Sequence, residues 1–131
     1  MALFLKERKV EIIEQKARIE KISKIAAYLQ EVLGQKLTAY LAGLKDPKVV
    51  GLWARGKAHL RDLAVFRLRC AYEAVLLLVS VYGAETAKSW FFGTNTRLDD
   101  EAPAYLLRHV KVSEDVRFII PAARAFVTSA S

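Results

Sequence analysis

The chain of 131 residues is poor in cysteine, proline and glycine, and it has no long hydrophobic run. Its single cysteine, Cys70, excludes a disulfide framework and a zinc site built from several thiolates. With only three prolines and six glycines, little interrupts helix formation. The longest run with few charges, residues 74–87, contains Glu85 and is shorter than the roughly 20 residues that a transmembrane helix needs.

A secretory signal is also lacking at the N-terminus. The apolar residues 1–5 have no basic residues before them, and four charged residues follow at once. Together with the single cysteine, this predicts a soluble protein of a reducing compartment. Cys70 lies in a helical pattern with Leu68, Ala71 and Val75, so we interpret it as a small core residue rather than a reactive thiol.

Apolar residues make up 53% of the chain and charged residues 27%, enough to build a core and too apolar for disorder. The net charge is +7, with a net +8 in residues 1–70 and a net −1 in residues 71–131. This asymmetry indicates that the N-terminal half meets a polyanion and that the other half meets something else. The alternative is a solvated, lysine-rich helix face without a ligand.

Hydrophobic periodicity predicts an all-α protein. In residues 3–33, which contain neither glycine nor proline, Ile12, Ile19 and later apolar residues recur at helical spacing. This indicates one amphipathic helix, or two abutting ones, ending at Gly34. Residues 6–18 are so highly charged that we expect this part to project or to pair with another chain.

Further helices are predicted from the glycine and proline positions and the apolar pattern. Pro121 is expected to kink or split the last of them. Residues 110–112 show a brief strand-like alternation. The predicted ranges are 37–42, 48–54, 58–82, 84–92, 103–108 and 116–128.

Residues 35–56 follow a helix-turn-helix pattern. Such a unit needs a small residue where its helices cross, a glycine in the turn and apolar anchors on the second helix. Ala39, Gly43 and the pair Val50 and Trp53 fill these roles. In the turn, Asp46-Pro47 is expected to supply the N-cap and the first residue of the second helix.

The outward face of that second helix, predicted to carry Lys48, Gly51 and Leu52, is poor in side chains that read base edges. The basic residues around it suit phosphate contacts better. A structural remnant of the motif that binds no DNA is the alternative. The predicted DNA-binding residues are Lys45, Lys48, Arg55, Lys57, His59 and Arg61.

A second motif lies in residues 90–98, Trp-Phe-Phe-Gly-Thr-Asn-Thr-Arg-Leu. Three consecutive aromatic residues on a short helix cannot all face the core. A polar turn follows, and then a short helix whose Leu106 and Leu107 could cover the aromatics. Aromatic side chains left exposed beside a loop are typical of partner-binding hot spots. The alternative is that Trp90 and Phe91 are simply core residues.

No set of catalytic residues stands out. His59 and His109 are isolated, and no glycine-rich phosphate loop occurs. The acidic residues 99–101 are interpreted as a solvated turn rather than a cation site. We therefore predict no catalytic residues, metal, cofactor or small-molecule substrate.

The C-terminal spacing resembles the toxin-binding domain of the Xre/MbcA/ParS antitoxin family. The resemblance covers about residues 35–128 and includes Val50, Trp53, Gly56 and the helix through Ala71-Tyr72. Thr94 stands where the family usually has proline, and Asp100 stands where glycine is common. The pattern of Trp, Asn, Leu, Pro and Leu-Leu matches Trp90, Asn95, Leu98, Pro103, Leu106 and Leu107.

This resemblance implies an antitoxin of the bacterial cytoplasm that is not an enzyme. It implies a homodimer that covers the active site of a RES-domain toxin degrading NAD, and that binds its own operator DNA. The expected toxin-binding residues are Trp90, Phe91, Phe92, Asn95, Arg97, Leu98, Pro103, Leu106 and Leu107.

Three parts of the chain are expected on this basis. Residues 1–57 form the charged helix and DNA-binding part, residues 58–83 a long connecting helix, and residues 84–131 the toxin-binding domain. Two other functions stay open: a stand-alone DNA-binding transcriptional regulator with no toxin, and an assembly factor that uses the helix of residues 6–33 as a dimerisation arm.

Overall fold

The computed structural model describes residues 2–111 and 118–128, with side chains from residue 7 onward. The described residues form eight α-helices and one 3-10 turn, and their only β-type pairing is an isolated bridge between Asn95 and Glu101. The all-α prediction is confirmed. The helices are α1 (Ala2–Ile19), α2 (Ile22–Leu33), α3 (Gln35–Ala42), α4 (Lys48–Ala54), α5 (Asp62–Tyr82), α6 (Ala84–Trp90), α7 (Pro103–His109) and α8 (Ile119–Thr128), with the 3-10 turn at Thr96–Leu98.

The charged N-terminal region forms two helices, and the first packs along α5 instead of projecting. Arg69 of α5 donates from Nη1 to the carbonyl oxygens of Ala17 at 3.0 Å and Glu20 at 2.8 Å. These bonds satisfy carbonyls that the end of a helix leaves free. The break after α1 is therefore stabilised from outside, by a residue distant in sequence.

The helices predicted on either side of the turn at residues 43–47 are both present. Gly43 ends α3 with φ 90° and ψ 18°, the left-handed conformation that favours glycine. The Asp46 carboxylate accepts the backbone N–H of Lys48, the first residue of α4, at 3.0 Å. The N-cap position itself is occupied by Pro47, one residue later than predicted. Val50 and Trp53 are buried, and α4 packs against α2.

The long helix α5 is the centre of the fold and contacts α1, α2, α3, α6 and α8. It begins at Asp62, four residues later than predicted, because Arg61 is extended with ψ 156°. Gly83 ends it as expected. Cys70 is buried in this helix, and burial raises the pKa of its thiol far above the ordinary value. The interpretation of Cys70 as a core residue is confirmed.

The C-terminal helices differ from the prediction in two places. α6 ends at Trp90 rather than at residue 92, because the chain turns there. α7 packs against α3, and the Ala104 N–H at its start donates to the carbonyl oxygen of Phe91 at 2.9 Å. Pro121 is the third residue of α8, where the missing N–H has no partner within the helix, so it neither kinks nor splits it. Residues 116 and 117 of the predicted last helix lie outside the described residues.

One hydrophobic cluster joins residues from Ile13 in α1 to Val127 in α8. Residues 110 and 111 are not a strand, and residue 112 lies outside the described part. Among the described residues, no helix has the length and apolar character needed to cross a membrane.

Candidate functional site

Asn95 organises the turn between α6 and α7. Its side-chain oxygen accepts the backbone N–H of Arg97 at 3.0 Å. Its carbonyl oxygen accepts the N–H groups of Leu98 and Asp100, both at 2.9 Å. Of these three bonds only the one from Arg97 uses the side chain, and that bond gives a physical reason for an asparagine at this place in the motif.

Two consecutive residues after the 3-10 turn have left-handed backbone. Asp99 has φ 55° and Asp100 has φ 64°. Aspartate is one of the few residues that tolerates this region, and glycine adopts it without a Cβ penalty. The geometry explains why a glycine would suit position 100, where this chain has aspartate.

The predicted toxin-binding residues divide into a buried set and a smaller accessible set. Trp90 and Phe91 are core residues, as the alternative interpretation predicted, and the indole Nε1 of Trp90 is buried with no hydrogen-bond partner in the described structure. Asn95 and Leu106 are half-buried, whereas Phe92 is 60% exposed and Arg97 is exposed. The buried set is Trp90, Phe91, Leu98, Pro103 and Leu107.

Phe92 lies on an open groove between the N-terminal and C-terminal helices, which we term the aromatic groove. Its volume is about 570 Å³. Phe92, Tyr40 and Tyr105 supply its aromatic lining, and Lys36 and Lys88 are its charged residues. No carboxylate lines it among the described residues. The remaining lining residues are Leu33, Gly34, Gln35, Leu37, Ala102 and Ala104.

Two arginines hold the groove in shape. Arg108 donates to the carbonyl oxygen of Tyr40 at 2.9 Å, and its guanidinium lies 4.6 Å from the centre of the Tyr40 ring. Arg67 donates to the carbonyl oxygens of Ala42, at 3.2 Å, and of Val110. Desolvation, and secondarily the charge of Arg108, lower the pKa of Arg67. The end of α3 is thereby fixed to α5 and α7.

Sequence reasoning missed Tyr40, Tyr105, Lys36 and Lys88 as groove residues, because they come from three different helices. One local signal could have indicated Tyr105. It lies two residues before the buried Leu107 in a short helix, a spacing that puts the two side chains on different faces.

The six predicted DNA-binding residues are all exposed. Lys45 lies in the turn before α4, Lys48 begins α4, and Arg55 ends it. Lys57, His59 and Arg61 follow in the segment that leads to α5. None of the six forms an ion pair with an acidic side chain of the described residues. The charge of the five lysines and arginines among them is therefore available to a polyanion.

Gly51 does not belong to the outward face of α4. It is half-buried, and a Cβ placed on it would lie 3.3 Å from the side-chain nitrogen of Gln35. Gln35 in turn donates to Gln30 at 2.7 Å. The free face of α4 thus carries Lys48 and Leu52, which makes it still poorer in base-reading groups than the sequence suggested.

Neither histidine forms part of a ligand cluster. His59 is exposed, and His109 stacks on Tyr105 with ring centres 4.2 Å apart. No group of three or more potential metal ligands occurs in the described part of the chain.

Comparison of this chain with known protein families, with curated proteins and with solved structures finds no match.

Proposed function

We propose that this protein is the antitoxin of a toxin-antitoxin pair, which neutralises a RES-type, NAD-degrading toxin through its C-terminal helices and binds operator DNA through the segment of residues 45–61. The observation that carries the proposal is the separation of residues 90–107 into buried and exposed side chains. The buried members of the motif belong to the core, Asn95 organises the turn between α6 and α7, and Phe92 is left 60% exposed on the aromatic groove.

The aromatic groove has the composition of a protein-binding surface. Exposed aromatic side chains give a large contact area with few rotatable bonds, which is why they recur as binding hot spots. Tyr105 and Phe92 are exposed on one groove, with the exposed lysines Lys36 and Lys88 beside them. This arrangement favours a toxin segment that brings an apolar anchor flanked by carboxylates.

The neutralisation test uses co-expression with the protein encoded next to this one, following growth and cellular NAD. Wild type should restore both, and the double variant Phe92→Ala, Tyr105→Ala should bind the toxin at least tenfold more weakly, as expected for removal of two hot-spot side chains. Phe66→Ala, at another exposed aromatic, is the matched control. Full affinity of the double variant would contradict this assignment of the surface.

The basic segment supports DNA binding dominated by phosphate contacts. Lys48→Ala with Arg55→Ala should weaken binding to every DNA sequence and reduce the slope of log affinity against log salt by up to about 2. Lys21→Ala with Lys24→Ala removes the same charge from exposed positions elsewhere and should leave that slope nearly unchanged. Affinity that does not vary with salt would refute a phosphate-dominated mode.

The exposure of all six basic residues also favours a second function, a stand-alone DNA-binding regulator. The neutralisation assay and the DNA-binding assay together distinguish the antitoxin from the regulator. Salt-dependent DNA binding together with a harmless neighbouring protein would select the regulator.

A further inference from the structure

A second cavity, about 530 Å³ in volume, lies between α1, α5 and α8 and shares no lining residue with the aromatic groove. We term it the three-helix cavity. Its volume is typical of small-molecule sites in proteins. Phe66, Arg69 and Glu73 of α5 line it from one face of that helix, because they are three or four residues apart. Neither the proposed toxin contacts nor the proposed DNA contacts involve this cavity.

The rotation of α1 about its axis brings charged side chains to the cavity. The sequence pattern placed Ile12 and Ile19 on the core stripe, but they are 57% and 82% exposed. Ile13 and Ala17 are buried against the body of the protein instead. The residues that follow these two in sequence therefore lie at the border with α5. The charged α1 residues that line the cavity are Glu14 and Arg18.

Arg69 is the one arginine of the cavity lining that has no carboxylate partner among the described residues. Glu14 forms ion pairs with Arg18 and with Arg124. Glu73 also pairs with Arg124. The lining thus contains three guanidinium groups and two carboxylates, which leaves an excess of one positive charge.

The guanidinium of Arg69 is held in place while part of it stays free. Its Nη1 donates to the carbonyl oxygens of Ala17 and Glu20 at the end of α1. Its Nε and Nη2 have no acceptor within the described part of the chain, and they are not buried. Two such neighbouring N–H groups can bind one carboxylate in a bidentate manner. Because the side chain is already fixed, a ligand would lose little affinity to side-chain ordering.

Apolar side chains line the same cavity beside Arg69. Phe66, one turn earlier on α5, is 44% exposed, and Ile120 and Pro121 are apolar lining residues from the start of α8. We infer that the three-helix cavity binds a small organic monocarboxylate, with its carboxylate on Arg69 and its apolar body against Phe66 and the start of α8.

Two other classes of ligand fit the cavity less well. A doubly charged anion, such as a phosphate ester, would be repelled by Glu14 and Glu73. A cation would find both of these carboxylates already paired with arginines. Burial raises the pKa of Glu73, which reduces the negative charge that a single carboxylate meets.

Titration of the isotope-labelled full chain with phenylacetate, followed by the chemical shifts of the backbone amides, tests this inference. Phenylacetate should bind with a dissociation constant of about 1 mM or below. It should shift the amides around Arg69 and Arg124 and not those around Tyr40 and Phe92. Phenylacetamide, which has the same shape without the charge, and phenethylamine, which has the opposite charge, should bind at least tenfold more weakly.

Three results of this titration would overturn the inference. They are the absence of saturable shifts well above the expected dissociation constant, tighter binding of phenethylamine than of phenylacetate, and shifts confined to the aromatic groove.

The pairing with Arg69 is tested by a ratio of affinities, which does not depend on modest changes in stability. In Arg69→Gln, phenylacetate and phenylacetamide should bind equally well, because the charge that distinguishes them has lost its partner. Phe66→Ala should weaken both ligands by a similar factor and so keep the preference for phenylacetate. A tenfold preference retained in Arg69→Gln would show that the carboxylate does not lie on Arg69.

Pro121 allows a matched pair of variants that leaves Arg69 unchanged. Pro121 is exposed and is the third residue of α8, where an acidic side chain is favourable near the start of a helix. Pro121→Glu should bind phenylacetate at least fivefold more weakly than Pro121→Gln, because only the first adds a negative charge to the lining. Leu52→Gln, at an exposed position of α4, should bind as wild type does. Equal affinities of the two Pro121 variants would contradict an anion in this cavity.

Discussion

Gly43 and Arg67 show how strongly one position can depend on a residue far along the chain. Gly43 has φ 90°, and a Cβ built there would lie 2.4 Å from Nη1 of Arg67. That nitrogen donates to the carbonyl oxygen of Ala42, and its neighbour Nη2 donates to Val110. The glycine therefore provides both the left-handed turn and the space for the guanidinium.

We expect Gly43→Ala to lower the free energy of unfolding by about 2 kcal/mol, roughly half from left-handed strain and half from weakened Arg67 hydrogen bonds. Urea denaturation followed by circular dichroism measures the loss. Gly56→Ala is the control, since Gly56 has φ 68° but no atom within 4 Å of its Cβ position. An equal loss in both variants would show that strain acts alone and that Arg67 moves freely.

Helix by helix, most of the fold could be predicted from the sequence, and the failures have identifiable causes. α4 occupies its predicted range because Asp46, whose carboxylate accepts the first N–H of the helix, and Pro47 define its start. The start of α5 was misplaced because residues 58–61 contain neither glycine nor proline, while the backbone at Arg61 is extended. Caps with a local sequence signature were thus predictable, and unmarked extended segments were not.

The rotation of α1 was wrong for a different reason. Ile12 and Ile13 are adjacent, and periodicity alone permits either to face the core. α5 contacts the side that carries Ile13 and Ala17, a choice that depends on tertiary packing. The candidate site was affected in the same way. The sequence motif contains Phe92, but the groove also needs residues from α3 and α7 that only the packed structure brings alongside it.

At the scale of the whole molecule, one arginine of α8 forms ion pairs with both α1 and α5. Arg124 lies 3.5 Å from Glu14 and 3.3 Å from Glu73. The pKa of Glu73 is raised, chiefly because burial disfavours its charged form, although Arg124 lowers it in part. The folded protein is therefore less stable with Glu73 ionised than with Glu73 protonated.

The sign of the resulting pH dependence follows from proton linkage. The pKa of Glu73 is higher in the folded than in the unfolded protein. At pH values between these two pKa values the folded protein binds more protons, so the free energy of unfolding falls as pH rises through the folded pKa. The free energy of unfolding of wild type relative to Glu73→Gln should therefore decrease with rising pH, by less than about 1.4 kcal/mol per pH unit.

Urea titrations at a series of mildly acidic to neutral pH values measure this difference. Glu85→Gln, at an exposed position of α6, is the control and should show no comparable trend. A difference that grows with pH would mean that attraction to Arg124 outweighs the desolvation of Glu73.

The arginines that close the helix ends come later in the chain than the ends they close. Arg69 binds carbonyls of residues 17 and 20, and Arg67 and Arg108 bind those of residues 40–44. A ribosome delivers the chain from its N-terminus, so α1 and α3 emerge before their partners exist. α3, with eight residues, is too short to be stable in isolation. During translation, the C-terminal ends of α1 and α3 therefore lack these hydrogen bonds until α5 and, for α3, also α7 have left the exit tunnel.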